Sequence, residues 1–327
     1  MSETTQLRPI LSFGEACDRG KVREENQDSV RHVSTPMGEL VLVADGIGGY
    51  RGGGTASRIV VESFTSWVSV QASSFSPSRV IAEAAALSNI DIREAAASGE
   101  TAYRQMGSTV VMALITQNES GAQASTQAWI GHIGDSRAYL ARSGELSRLT
   151  RDHSAVQALI DRNEISPADA RSHPNASVLT RSLGHQPEVE IEITMTQLEA
   201  GDSLLLCTDG LWGFVPEQAI AKVMTNPEIA ASAAAAQLLD LALEAGGPDN
   251  IGIEVVRYSI PAVEQAPIAE LKEDEGEEEE EAEEEVKPRS GRQRAIMAAL
   301  LMAVTVGALA VWYAEQKKWI PPISLSR

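Results

Sequence analysis

The residues with chemical potential in this chain are aspartates placed at the ends of apolar runs. In Val41-Leu-Val-Ala-Asp45-Gly46 four apolar residues stop abruptly at an acid and a glycine. Leu204-Leu-Leu-Cys-Thr-Asp209-Gly210 has the same form. A third acid stands in Gly247-Pro248-Asp249-Asn250, directly before the apolar run Ile251 to Val256, and a fourth, Asp135, in Gly134-Asp135-Ser136-Arg137. A carboxylate at the mouth of a buried strand is costly unless its charge is compensated. Acids far apart in sequence but alike in setting fit one explanation: they converge on hard divalent cations, Mg²⁺ or Mn²⁺. The competing explanation makes each Asp-Gly a hairpin turn, and for Asp135 alone a turn is the simpler reading. Asp45, with the Gly46 carbonyl beside it, would bridge two ions, and Asp209 and Asp249 would complete their shells. Water between such ions becomes a nucleophile near neutral pH. Arg23, upstream of Asp28, offers a planar fork that suits a phosphate ester; its plainer use is a surface pair with Glu24 or Glu25.

The elements that must position these residues are mostly strands. Leu11 to Cys17, Ser108 to Ile115, Ala124 to Ile133, Val189 to Met195 and Leu204 to Thr208 read as strands from β-branched content or alternation. Ala138 to Arg142 is expected to pair back after the turn at Gly134 to Arg137, and Ser143-Gly144-Glu145 to be a hairpin tip closed by Leu146 to Thr150. Such a series of antiparallel strands predicts stacked sheets rather than a parallel α/β fold. Helices are expected from about Thr55 to Val68 and from Ser76-Pro77 to about Ser98. Further helices are expected from Ser154 to Asn163, from Ser166-Pro167, from Pro216-Glu217, and from Asn226-Pro227 to about Glu244. The small and polar stretch from about Val156 to Gly184 would form a flap near the site.

Other chemistries find little support. Gly48-Gly49-Tyr-Arg-Gly52-Gly53-Gly54 lacks the Gly-Lys-Ser/Thr ending of a P-loop, and its glycines read as room for close backbone approach. The five histidines show no metal-ligand spacing, so a zinc site is not expected, and His132 and His153 are expected in structural roles. Cys17 and Cys207 read as small buried hydrophobes of a reducing compartment. With a net charge of −19 over 327 residues, and an acidic body, nucleic acid is not an expected partner.

The end of the chain has a separate character. Twelve acids and one lysine lie between Glu270 and Glu285, an acidic linker expected to stay extended. Ala295 to Ala314 is a run of twenty uncharged residues ending near Trp312 and Tyr313. Lys287, Arg289, Arg292 and Arg294 precede it, and Lys317 and Lys318 follow. At about 1.5 Å per residue it matches a hydrocarbon core. No signal peptide is read at Met1 to Ile10, and the basic residues put the large domain on the cytoplasmic side. The expected organisation is a tail over 1–10, a catalytic domain over 11–260, a linker over 261–290, a transmembrane helix over 295–314 and a short far-side tail over 315–327.

Taken together, Arg19-Gly-Lys-Val-Arg23-Glu-Glu-Asn-Gln-Asp28, Val43-Ala-Asp45-Gly46-Ile-Gly-Gly, Gly107-Ser-Thr, Gly134-Asp-Ser-Arg137, Leu149-Thr-Arg-Asp-His-Ser154, Leu179-Thr-Arg-Ser-Leu-Gly184, Cys207-Thr-Asp209-Gly210-Leu-Trp and Asp249-Asn250 follow one family's order. On these motifs, which cover about Ser12 to Tyr258, the sequence resembles the metal-dependent protein serine/threonine phosphatases of type 2C in their bacterial form. The resemblance implies an α+β fold, a sandwich of two antiparallel β-sheets flanked by helices, with two Mn²⁺ or Mg²⁺ ions at one end. It also implies roles. Asp45 matches the bridging ligand, Gly46 the carbonyl ligand, and Asp209 and Asp249 the other direct ligands. Asp28 matches an acid acting through water, Arg23 the phosphate-binding arginine, and Asp135 a ligand of a third, weaker ion. Two positions depart from the pattern. Ile47 stands where animal members often carry a histidine thought to be the general acid, and Gln27 where a Glu is common. The expected activity is hydrolysis of phosphoserine and phosphothreonine in proteins, opposing a cytoplasmic Ser/Thr kinase, by a monomeric catalytic domain tethered to the cell membrane. The alternative is a non-catalytic phosphoprotein-binding scaffold, which would be free to lose Asp45, Asp209 and Asp249.

Overall fold

The computed structural model describes residues 10–48, 52–98, 105–118, 125–170 and 173–259. The expected linker, membrane span and far-side tail lie outside the described residues, and among those no helix is long and apolar enough to cross a membrane.

Two antiparallel sheets form the centre. The first runs β1 (Ile10–Asp18), β11 (Ile251–Ser259), β10 (Asp202–Cys207), β7 (Arg137–Arg142), β8 (Glu145–Arg148) in spatial order. The second runs β2 (Asp28–Thr35), β3 (Gly38–Ile47), β5 (Val110–Asn118), β6 (Ser125–Ile133), β9 (Glu192–Leu198), with the short β4 (Gly107–Ser108) paired to the end of β3. Both β3 and β10 are apolar on both faces because both faces are covered. Leu40, Leu42 and Ala44 of β3 face α1 (Gly52–Ser69) and α2 (Pro77–Ala97), while Val41 and Val43 face the other sheet. Likewise Leu205 and Cys207 of β10 face α6 (Glu217–Met224) and α7 (Ala231–Glu244), and Leu204 and Leu206 face inward. The period-2 alternation of a strand thus divides each continuous run between two cores. Three short helices complete the fold: α3 (Ala155–Asp161), α4 (Pro167–Ala170) and α5 (Asp209–Trp212).

Five sequence expectations need correction. Gly134 to Arg137 is no hairpin: β6 and β7 belong to different sheets, and β7 pairs with β10 and β8. The segment is a crossover between layers. Helix α1 begins at Gly52, and α7 begins at Ala231, four residues beyond Pro227. There Asn226 makes a turn instead, its Oδ1 accepting from the Glu228 backbone N–H at 3.0 Å. Strand β9 lies three residues later than expected. Cys207 is buried, but Cys17 is exposed on the edge strand β1.

Strand β11 carries two buried ionisable side chains. Arg257 donates to the carbonyls of Val223 and Met224 and to Ser203 Oγ, so it caps the C-terminal end of α6. Glu254 is fully buried, and among the described residues neither of its oxygens has a hydrogen-bond partner. Burial raises its pKa to about 9 from 4.5. The folded chain therefore holds a proton that the unfolded chain gives up, and stability falls as pH rises through that window. Glu254→Gln cannot titrate. It should unfold near the wild-type temperature at pH 5 and several degrees higher at pH 8, read by differential scanning calorimetry at both pH values.

Candidate active site

The five acids singled out in the sequence come from both sheets and meet at one end of the sandwich. Asp28 opens β2 and is the cross-strand partner of Asp45 on β3. Asp209 follows β10 as the first residue of α5, and Asp249 precedes β11. Asp135 sits in the crossover between β6 and β7. Asp45, Gly46, Asp135, Asp209 and Asp249 line a cavity of about 540 Å³, with Arg23 and Gln27 at its wall. Asp28 lies behind them, buried, and accepts from Thr208 Oγ1 at 2.8 Å.

Their electrostatics show what the cluster needs. Burial first, then the other aspartates, raises Asp28 and Asp135 to about 8 and Asp209 to about 6. Asp45 is raised well above the ordinary range by burial and then by Asp28, Asp209, Asp135 and Asp249 together. It is the residue on which the others focus. Only a concentrated positive charge returns such a cluster to its ionised form. Oxygen ligands alone, without thiolate or imidazole, suit Mg²⁺ or Mn²⁺. The donor set therefore fits those ions.

Arg23 pairs with Asp249, a residue distant in sequence. Its Nη2 donates to Asp249 Oδ2 at 2.8 Å, with about half its side chain exposed. That bond leads the effects that raise its pKa. The guanidinium is thus held at the cavity edge with donors to spare.

Several supporting residues were not assigned from sequence. Thr109 brackets Asp45, its Oγ1 accepting from the Asp45 N–H at 3.0 Å and its own N–H donating to the Asp45 carbonyl at 2.9 Å. Ser108 Oγ donates to the same carbonyl at 2.9 Å. Asn250 ties the Arg19 to Gln27 loop to β11: its Nδ2 donates to the carbonyls of Arg19 and Glu25, and its Oδ1 accepts from the Gln27 N–H. The glycines after the acids answer to packing. A Cβ on Gly46 would lie 2.0 Å from the Gly53 carbonyl of α1, and one on Gly210 would lie 1.9 Å from the Asn250 carbonyl. Thr109, Thr208 and Asn250 all stand within the recognised motifs; the signal was present, but their partners are distant in sequence.

The expected flap does reach the site, where Ser177, Leu179, Thr180 and Ser182 line the cavity. An adjoining cavity of about 520 Å³ shares Asp135, Ser177 and Asp209 and is walled by Ile160, Trp212 and Phe214. His132, His153 and Glu192 come closer than the sequence suggested, with one possible ligand atom each within 4.8 Å. The two rings stack at 4.6 Å and 16°, so their in-plane lone pairs run parallel and cannot converge on one ion. Instead, His153 Nδ1 accepts from the Gly134 N–H at 3.1 Å, and the His153 backbone N–H donates to the Gly134 carbonyl at 2.8 Å. It fixes the crossover that carries Asp135.

The protein phosphatase 2C family model matches residues 19–243. The chain belongs to that family. It is 36% identical to the serine/threonine protein phosphatase PstP of Mycobacterium tuberculosis over 75% of its own length, and spans 45% of that longer relative. It is 34% identical to the protein phosphatase PhpP of Streptococcus pneumoniae, over 73% of this chain and 94% of that protein. A crystal structure of the PstP catalytic domain in complex with two manganese ions is 33% identical, superimposes with a TM-score of 0.67, and matches 77% of this chain and 99% of that one.

The Asn250 contacts yield a prediction. Asn250→Ala removes three side-chain hydrogen bonds that hold the Arg23 loop. It should cost about 2 kcal/mol of stability, read by urea unfolding. It should also raise KM for a phosphopeptide more than it lowers kcat, because the arginine loses its fixed position.

Proposed function

We propose that this chain is a Mn²⁺- or Mg²⁺-dependent phosphatase that hydrolyses phosphoserine and phosphothreonine in proteins. One observation carries the reading: aspartates from both sheets focus on Asp45 in a cavity with an arginine at its edge. The named activity of its relatives supports it, and so do the two manganese ions in the PstP catalytic domain.

Asp45, the Gly46 carbonyl, Asp209 and Asp249 would hold two ions, and Asp135 with Asp209 a third. Bound there, the ions supply Lewis acidity that polarises phosphate oxygens and acidifies water. The chain supplies the rest. Arg23 takes the phosphate through donors not used by Asp249 and orients it over the acids. Asp28, behind Asp45 and fixed by Thr208, orients water toward the cluster. Thr109 and Ser108 hold the Asp45 peptide so that its carboxylate does not reorganise during attack. The apolar walls of the adjoining cavity receive the peptide flanking the phosphoresidue.

The uncharged run Ala295 to Ala314 with its basic flanks supports a further part of the reading. The phosphatase is tethered to the cell membrane by a single span, with the catalytic domain on the cytoplasmic side, where it opposes a Ser/Thr kinase. The acidic linker keeps the domain off an anionic leaflet.

Hydrolysis of a phosphothreonine peptide, with Mn²⁺ titrated against chelator, tests the activity. Wild type should release phosphate only with metal, and Asp209→Asn should lose about a hundredfold or more in kcat. Metal-independent binding of the phosphopeptide without turnover would replace the enzyme with a scaffold.

A further inference from the structure

Cleaving the bond between phosphorus and a serine or threonine oxygen leaves an alkoxide, a base too strong to depart unprotonated near neutral pH. The cavity offers few donors for that proton. Its aspartates are committed to cations, and a guanidinium such as that of Arg23 does not deprotonate in proteins. Its serine, threonine and glutamine side chains are very weak acids. The lining residues include one imidazole, His185, and histidine is the side chain most often used for such transfers.

The placement of His185 is built. It follows the Leu179 to Gly184 motif, and its Nδ1 lies 2.6 Å from Ser182 Oγ. The Nδ1–Cε1 edge of its ring covers Gly107, where a Cβ would come within 2.4 Å of Cε1 and 2.6 Å of Nδ1. Gly107 is the cross-strand partner of Ile47, the residue directly after the Asp45-Gly46 ligand pair. The same loop is pinned beside the site by a reciprocal backbone pair, Ser108 N–H to the Leu183 carbonyl at 3.1 Å and Leu183 N–H to the Ser108 carbonyl at 2.9 Å. Ser108 in turn holds the Asp45 carbonyl. An imidazole from the flap thus reaches the neighbourhood of Ile47 from a remote part of the chain.

We propose that His185 is the general acid of the reaction, an assignment that rests on the phosphatase reading above. The water oxygen bonds to phosphorus as the bond to the serine or threonine oxygen breaks. That oxygen keeps the electron pair and takes a proton from Nε2 of the imidazolium. In the imidazolium Nδ1 donates to Ser182 Oγ, and that proton stays in place when Nε2 gives up its own. The attacking water releases its proton to solvent, and the imidazole regains one from solvent, so the cycle balances. Glycine at 107 is the sequence's concession to this ring.

The test compares two esters on the full chain with Mn²⁺: a phosphothreonine peptide, whose leaving group needs a proton, and p-nitrophenyl phosphate, whose phenolate leaves without one. His185→Ala and His185→Gln should each lower kcat on the peptide about a hundredfold. Turnover of p-nitrophenyl phosphate should stay within about threefold of wild type. Equal loss on both esters, loss confined to KM, or no loss on the peptide would overturn the assignment. A wild-type chain that hydrolyses neither ester with Mn²⁺ would instead overturn the phosphatase reading itself, so the two failures are distinct.

Discussion

Like charges forced together at the end of a sandwich shape this molecule. Asp45 experiences the repulsion of Asp28, Asp209, Asp135 and Asp249 on top of the cost of its own burial. The acids are carried by elements of two separate sheets and the segments that join them, and Arg23 pairs with one of them, Asp249. The backbone is committed as well: the Asp45 peptide is held by Thr109 and Ser108, and the Asp28 carboxylate by Thr208. The chain spends stability on a constellation that becomes favourable only with multivalent cations, and this is the sense in which the site is preorganised.

Much of this was legible in the sequence, for a physical reason. Leu204 to Cys207 and Val41 to Ala44 are apolar on both faces, so they could only be covered strands, and an acid after a covered strand stands out. The series of antiparallel strands pointed to stacked sheets, and the resemblance supplied the two-sheet sandwich flanked by helices. The crossover at Gly134 to Arg137 was not legible, because a turn between sheets and a turn within one use the same residues. The difference lies in what β7 pairs with, Ser203 to Cys207, far along the chain. The start of α7 was misplaced for a similar reason: Asn226-Pro227 carries helix-opening chemistry that Asn226 uses for a turn.

The site showed the same division. Asp45, Asp209 and Asp249 stood out by type and setting, whereas Asp28 and Asp135 took their roles from the resemblance; the structure brings the five together. Residues that act on those residues were not readable, since Asn250 supports a loop more than two hundred positions upstream. His185 is the sharpest case. In sequence it is a lone histidine after a glycine. The fold brings it to the site, where it lines the cavity and packs on Gly107, the cross-strand partner of Ile47.

Strand β1 pairs along its whole length with β11, from Ile10 opposite Ser259 to Asp18 opposite Ile251. The first strand synthesised therefore waits for the last one of the domain, and until then it has an open edge where β11 will lie. The loop that carries Arg23 depends on Asn250 at that same late junction. Contacts this remote close slowly and after the local ones. On the ribosome, then, the nascent domain can assemble its helices and most of its second sheet while its site still lacks Asp249. The order of synthesis thus sets the order of assembly: the acid cluster is complete, and the Arg23 loop supported, only once the residues around Asp249 and Asn250 have been made.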